Sequence, residues 1–475
     1  MPTPRTKTDP RGGAGLLRRL TGSGSRVLPA LLLAGTATLL NGCDDDDPVD
    51  LDSEETTFEV RIENVSESYA FTSSGVFNTP AGSDAPGPVM AGGSYQFEFH
   101  AGPGSRVSFA TMFVQSNDLF YAPDGDGIQV YDGSGVPRSG NVTAEVYLWD
   151  AGTEVNQEPG AGPDQAPRQG GADTGAPDPD NSVRIAGDPF GNLPAVEEAV
   201  EVTLTHLGGT RFRIRIANVA DDEALPLSAG GFAPVIIAPG VWTVGGDTDP
   251  LFTQGQPDPG LGLEALAEDG AVAGYHSELN ARTGLTSPLA PGVFAVHSGS
   301  SVLFDAGIPD QGEGMEALAE DGDPSGLASA VAARTDVMDN GVFNTPEGAS
   351  SPGPAFPGDA YVFTVTAVPG DRLSFATMLV QTNDLFFAPA DGGVALFTLG
   401  GVPVTGEITG MTLLWDAGTE ANEFPGVGPN QAPRQSGPDT GTDESEAVLQ
   451  VNDGYVYPDV DEVLRVTITP LASGT

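Results

Sequence analysis

A single cysteine in 475 residues leaves the chain no internal disulfide framework, so its cohesion has to come from buried cores and bound metal. The four histidines, His100, His206, His276 and His297, are scattered and cannot supply the grouped imidazoles that zinc ligation or general acid–base catalysis requires. No G-x-S-x-G elbow, H-E-x-x-H pair or P-loop pattern is present. Basic residues are also scarce: 19 Lys and Arg face 66 Asp and Glu, a net charge of -47. That balance offers no basic stripe to neutralise phosphates and excludes nucleic acid as a partner. The acidity reads instead as a solvated surface suited to a saline or extracellular setting, and it attracts divalent cations. Long helical patterns are rare as well. With 65 Gly, 41 Pro and short apolar runs rich in Val, Ile and Phe, the chain favours many strands joined by turns, an all-β fold.

Residues 1–42 have the pattern of an export signal. Arg5, Lys7, Arg11, Arg18, Arg19 and Arg26 precede the apolar run VLPALLLAGTATLL, which is too short for a comfortable membrane span and is followed by Asn-Gly-Cys43. The segment resembles a bacterial lipobox, which implies cleavage and lipidation at Cys43, although Asn41 stands where a smaller residue is usual; a plain cleaved signal is the competing reading. Residues 43–56, beginning Cys-Asp-Asp-Asp-Asp, are too charged to pack and read as an acidic disordered tether.

The rest of the chain is a duplication. FEVRIENV at 58–65 has a near copy, FRIRIANV, at 212–219, and Gly75–Gly175 matches Gly341–Gly441 without a gap. GVFNTP and QAPRQ recur unchanged, and SFATMFVQSNDLFYAP returns as SFATMLVQTNDLFFAP. Read in chain order, this gives an abbreviated β-domain over 57–208 and a second over 209–475 carrying an insertion at about 224–340. The insertion is itself a tandem repeat with a spacing of 52 residues: APGVWTV pairs with APGVFAV, and GLEALAEDG with GMEALAEDG. EALAEDG is the clearest helical signal, stopped by Gly, and predicts two turns of helix capping the strands. Its acids Glu264, Glu268 and Asp269, with Glu316, Glu320 and Asp321, read as a solvated helix face, with metal ligation as the alternative.

The most informative stretch is YLWDAGTE, ending at Glu154, which returns as LLWDAGTE, ending at Glu420. Alternation predicts a half-buried strand that puts Trp149 and Trp415 on the core side and runs into a small-residue turn. Ala-Gly-Thr is short enough to fold Glu154 back toward Asp150, and Glu420 toward Asp416. Two carboxylates held close repel, so one takes a proton or a cation lies between them, and hard oxygens on a flexible turn suit calcium. The alternative is an acid-capped turn in which the carboxylates accept backbone N–H groups without a metal.

S-F-A-T-M, N-D-L-F and above all W-D-A-G-T-E followed by Asn resemble the spondin N-terminal domain family, known from F-spondin, mindin and bacterial secreted proteins; the likeness covers most of 57–475. The resemblance implies two tandem C2-like antiparallel β-sandwiches, each binding one Ca2+. The ligands it implies are Asp118, Asp150 and Glu154 in the first copy and Asp384, Asp416 and Glu420 in the second. Glu154 and Glu420 depart from the aspartate of the animal proteins, and the thrombospondin repeats that carry matrix and guidance roles there are missing.

The expectation is therefore a non-enzymatic, surface-anchored calcium-binding protein of the bacterial envelope. Adhesion or recognition of matrix, glycan or a cell-surface protein would be its work. Two alternatives are a carboxylate glycosidase, which needs two acids about 5–9 Å apart, and a purely structural envelope component.

Overall fold

The computed structural model describes residues 55–246, 251–390 and 392–472, so the signal, most of the tether and Cys43 lie outside the described residues. Among the described residues no helix is long and apolar enough to cross a membrane.

Strict alternation does produce strands. Thr56–Asn64 buries Phe58, Val60 and Ile62 completely and turns its charged partners outward, each buried side chain contributing roughly 1.5–3 kcal/mol. Each half of the chain builds two antiparallel sheets that share one core, an arrangement consistent with a β-sandwich. In the first half a four-stranded sheet runs in the order Ser94–His100, Arg211–Asn218, Val200–Gly208, Gly140–Asn141. It faces a larger sheet of Phe71–Phe77, Ile236–Gly245, Arg106–Val114, Leu119–Pro123, Val146–Asp150 and Arg184–Ile185, with Ile128–Gln129 paired to Arg106–Val114. Phe97, Phe212 and Ile214 from the first sheet pack against Phe109, Phe113 and Tyr121 from the second. The second half repeats the plan around Phe58, Tyr361, Phe375 and Ile468.

Strand pairing does not respect the boundary at 208/209. Thr56–Asn64, the opening strand of the first copy in chain order, lies in the second half, between Ala360–Ala367 and Leu464–Pro470. Its near copy Arg211–Asn218 lies in the first half, between Ser94–His100 and Val200–Gly208. The segment at 224–340 divides in the same way. Ile236–Gly245 is a central strand of the first half, while Leu289–His297 is a central strand of the second. It is therefore not an addition to one copy, and the first copy is not abbreviated: each 52-residue repeat completes a different half.

The repeated motifs owe their glycines to this packing. A Cβ on Gly240 would lie 2.3 Å from both the Ala110 carbonyl oxygen and the Phe77 ring, at a register shift in the strand; Gly292 faces the Ala376 oxygen and the Phe343 ring at 2.2 and 2.3 Å. The Pro-Gly of both APGV segments thus marks a bulge where backbone and ring approach too closely for a side chain. Trp242 stacks on Phe97 at 5.1 Å, and Phe294 on Phe363 at 4.5 Å, so these aromatics serve the cores.

The outer face of each large sheet is covered by helices. Leu263–Asp269 and Ala273–Ala281 bury Leu263, Leu266, Tyr275 and Leu279 against Phe120, Trp149 and Phe252. Met315–Asp321 and Ser325–Ala332 do the same over Phe386 and Trp415. The end of the strand Val146–Asp150 is consequently buried on both faces, with Leu148 in the inter-sheet core and Trp149 under the helices, while Tyr147 is exposed.

The halves also meet through loops. The His100 ring lies on Phe424 with centroids 4.0 Å apart, and a Cβ on Gly102 would come within 1.9 Å of the Val427 carbonyl oxygen. Because that neighbour is backbone, Gly102→Val should cost about 1–3 kcal/mol. Denaturant melts check this, and an unchanged midpoint would show that the loop contact contributes nothing.

Candidate functional site: the acid turns

Each turn is built where a strand pair ends. Leu119–Pro123 pairs with Val146–Asp150 so that Leu119 faces Asp150, which brings Asn117 and Asp118 beside the D-A-G-T-E turn. Leu385 and Asp416 repeat that register. Gly152 and Gly418 adopt φ of +74° and +67°, in the left-handed region where glycine is favoured.

Asp118, Asp150 and Glu154 are all buried, as are Asp384 and Glu420, while Asp416 is half-buried. Asp118 Oδ2 accepts N–H bonds from Thr153 at 2.8 Å and Glu154 at 3.2 Å, and the Thr153 hydroxyl at 3.2 Å. Its other oxygen, Oδ1, is buried and has no donor; Asp384 Oδ1 is in the same position. The capped-turn description therefore accounts for one oxygen of this carboxylate and leaves the second bare. Asp150 is fully engaged: Oδ1 accepts from Gly152 N at 2.8 Å, and Oδ2 from Asn156 Nδ2 at 2.6 Å and Arg184 Nη2 at 2.9 Å. Glu154 accepts from Asn117 Nδ2 at 3.0 Å and from Gly175 N.

The acids that converge most closely are not the three implied by the resemblance. Glu154, Asp173 and Glu268 each bring an oxygen within 4.8 Å of the others, and Glu316, Glu320 and Asp439 do the same in the second half. Of the six implied ligands, Glu154 belongs to such a group, and Asp118, Asp150, Asp384, Asp416 and Glu420 do not. The helix acids must also be reassigned. Glu268 and Glu320 are 3 % and 4 % exposed, so they are not part of a solvated face. The helix turns them inward because Leu266 and Ala267 beside them are pinned in the core. Thr153 Oγ1 bridges Glu268 Oε1 at 2.6 Å and Asp118 Oδ2, tying helix to turn. Glu264 and Glu316 are exposed as expected; Asp269 and Asp321 are half-buried, bonded to Gln169 and Gln435, the last residues of the two QAPRQ motifs.

Burial is the main force on these groups. It pushes Asp118 and Asp384 up to about 7, with repulsion from Asp150 and Asp416 adding to it and the N–H bonds opposing it. Burial likewise raises Glu268 and Glu320 to about 8, helped by repulsion from Glu154 and Glu420 and opposed by the threonine hydroxyls. Asp150 and Asp416 are raised by burial too, the first against the pull of Arg184.

Sequence reasoning placed Glu268 on a solvated face and gave Asp173, Asn117 and Gln165 no part in the site. Gln165 is fully buried and donates to Asn117 Oδ1 at 3.1 Å, as Gln431 does to Asn383, so QAPRQ buttresses the turn from below. Asp173 and Asp439 sit at φ +52° and +53°, a conformation L-residues seldom adopt. The available signal was that all four recur at matching positions in both copies. Comparison with known proteins finds no family model that matches the chain and no curated protein similar to it, so the site is read from its own geometry.

Proposed function

We propose that the chain is an exported calcium-binding β-protein, two tandem C2-like sandwiches that resemble the spondin N-terminal domain, held at the bacterial envelope by lipid on Cys43. Calcium stiffens the loops at the acid turns, and that end of each half presents a surface to matrix, glycan or a cell-surface protein. The observation that carries the reading is the converging acid set of each half: oxygens of buried Glu154 and Glu268 and exposed Asp173 within 4.8 Å of one another, and of buried Glu320 with exposed Glu316 and Asp439 likewise, beside the donor-less Asp118 Oδ1 and Asp384 Oδ1. Buried carboxylates without a counter-charge are costly, and six to eight oxygens at flexible spacing suit Ca2+. Asp118, Glu154, Asp173 and Glu268 are the proposed oxygen donors of the first half, with Asp150 shaping the turn. Asp384, Glu316, Glu320, Glu420 and Asp439 are those of the second, with Asp416 in the shaping role. Binding is favoured over a glycosidase because Trp149 and Trp415 are buried in the cores, which denies a sugar those stacking faces.

Calorimetry on the chelator-treated full chain should show calcium uptake. Calcium at a hundred times its dissociation constant should add about 2.7 kcal/mol of stability per site. Absence of heat, together with melting curves identical in calcium and chelator, would overturn the reading.

A further inference from the structure

One hairpin breaks the duplication in a consistent direction. In the first half its turn is closed by Asp132, whose N–H donates to the Val136 carbonyl and whose carboxylate accepts the Ser134 and Val136 N–H groups at 2.8 and 3.0 Å. Arg138, on the far arm, pairs with Glu145. The ungapped match puts Thr398, Leu399, Val404 and Met411 where the first half has Asp132, Gly133, Arg138 and Glu145. Thr398 keeps the turn closed without the charge: its N–H donates to the Val402 carbonyl at 2.8 Å, and its hydroxyl accepts the Val402 N–H at 3.2 Å. No residue from Val394 to Gly406 is charged. Leu399 is fully exposed, Val402 61 % exposed and Met411 54 %.

Solubility calls for the reverse. The charged hairpin is the one that is packed, since Gly135 and Pro137 line the cleft where Phe424 and Tyr455 of the second half meet the first. The apolar one holds Leu399 out into solvent in a chain of net charge -47. Its position indicates what it meets. Phe397 contacts Phe58 edge-on with centroids 5.4 Å apart, so the hairpin stands beside the point where Thr56–Asn64 enters the second half. Leu471, 41 % exposed, is at the same end and donates its N–H to Thr57 O at 2.8 Å. The strand Arg372–Leu379 runs from Arg372, paired with Ala395 of the hairpin, to Leu379, whose carbonyl accepts the Thr382 hydroxyl beside Asp384. Hairpin and acid turn therefore lie at opposite ends of that strand. The chain from Cys43 to Thr56 reaches about 45 Å when fully extended, which keeps the tip within range of whatever surface holds Cys43.

We infer that the Thr398–Val402 tip dips into the surface of the lipid bilayer, with Leu399 and Val402 among the outermost acyl carbons. In this arrangement, which rests on the lipid anchor proposed above, the acid turn of the second half faces away from the membrane. A bilayer suits the tip better than a protein does, because a convex leucine needs no matching pocket in a fluid. The bonds through Thr398 keep the backbone groups of Thr398 and Val402 satisfied inside the turn, so entry does not strip them of water.

The test uses the full chain, purified as the exported protein and bound to phosphatidylcholine vesicles, which are neutral and do not repel so acidic a surface. Leu399→Trp places a reporter at the tip, and Gly133→Trp places one at the matching first-half position, where the added side chain has open space; both sites are exposed, so both variants fold. The Leu399→Trp emission should move to the blue on vesicles and be quenched by brominated acyl chains, while the Gly133→Trp emission stays as in water. An unquenched Leu399→Trp on a chain that floats with the vesicles and carries lipid on Cys43 by mass spectrometry would overturn the inference and leave the anchor standing. Equal quenching at both positions would also overturn it, as would a blue shift without vesicles that grows with protein concentration, which marks a second copy as the partner. Quenching at Leu399→Trp alone, without lipid on Cys43, would support the tip contact and overturn the anchor. A chain with neither lipid nor vesicle binding would overturn both.

Discussion

Chelator-treated protein carrying both Asp118→Asn and Asp384→Asn is expected to be more stable than the unchanged chain at pH 8, by about 1–3 kcal/mol at each site, and no longer stabilised by calcium. In the metal-free chain each aspartate buries an oxygen that has no donor, under repulsion from Asp150 or Asp416. An amide keeps an oxygen for the Thr153 and Glu154 N–H groups and removes the buried charge together with its repulsion from the neighbouring aspartate. The pH dependence follows from the same groups. Asp118 and Asp384 are raised to about 7, and Glu268 and Glu320 to about 8, so the folded chain holds protons that the unfolded chain has released. Their contribution is therefore fully present below the ordinary carboxylate range and is lost as pH climbs through 7 to 8. Metal-free melts at pH 5 and pH 8 should show the higher midpoint at pH 5, with a smaller difference in the double variant. Calcium should reverse the trend, because its ligands must first lose those protons. A metal-free chain steadier at pH 8 than at pH 5 would contradict the account.

Trp149→Ala should be the most damaging single change in the first half, costing about 3–5 kcal/mol. The indole is 1 % exposed, meets the Phe252 ring edge-on at 4.8 Å, and donates from Nε1 to the Ala122 carbonyl at 3.1 Å. Truncation opens a hole between sheet and helices and leaves that carbonyl without its donor. It also loosens the residue next to Asp150, so calcium affinity should fall with stability. Trp415 has the same surroundings, Phe304 at 5.0 Å and the Ala388 oxygen at 3.2 Å, and should respond alike. Tyr147→Ala, two residues away at an exposed position, is the control and should cost under about 1 kcal/mol. Urea unfolding decides it: a Trp149→Ala midpoint matching that of the control would mean that the helices do not depend on the indole.

What was legible in the sequence was local or repeated. Alternation in FEVRIENV specified which side chains go inward, and Phe58, Val60 and Ile62 are buried as that pattern requires. The W-D-A-G-T-E strand and its turn were readable because the period changes abruptly from alternating apolar residues to small ones. The helix acids were misjudged for a physical reason. A seven-residue helix with a buried stripe of Leu263, Leu266 and Ala267 leaves Glu268 at the stripe's edge, where only the approach of Thr153 decides whether it meets water or protein.

By itself the sequence determined the strands, the duplication and the acid turns, since side-chain period, internal identity and turn chemistry are properties of short stretches. Only the tertiary structure decided which half each strand serves. Thr56–Asn64 and Arg211–Asn218 carry nearly the same pattern and fit the same slot, so nothing within either strand distinguishes its partners. The same holds for the charge beside the turn: Arg184 acquires its meaning only from the ladder that sets it opposite Asp150, because a carboxylate's counter-charge is chosen by proximity in space.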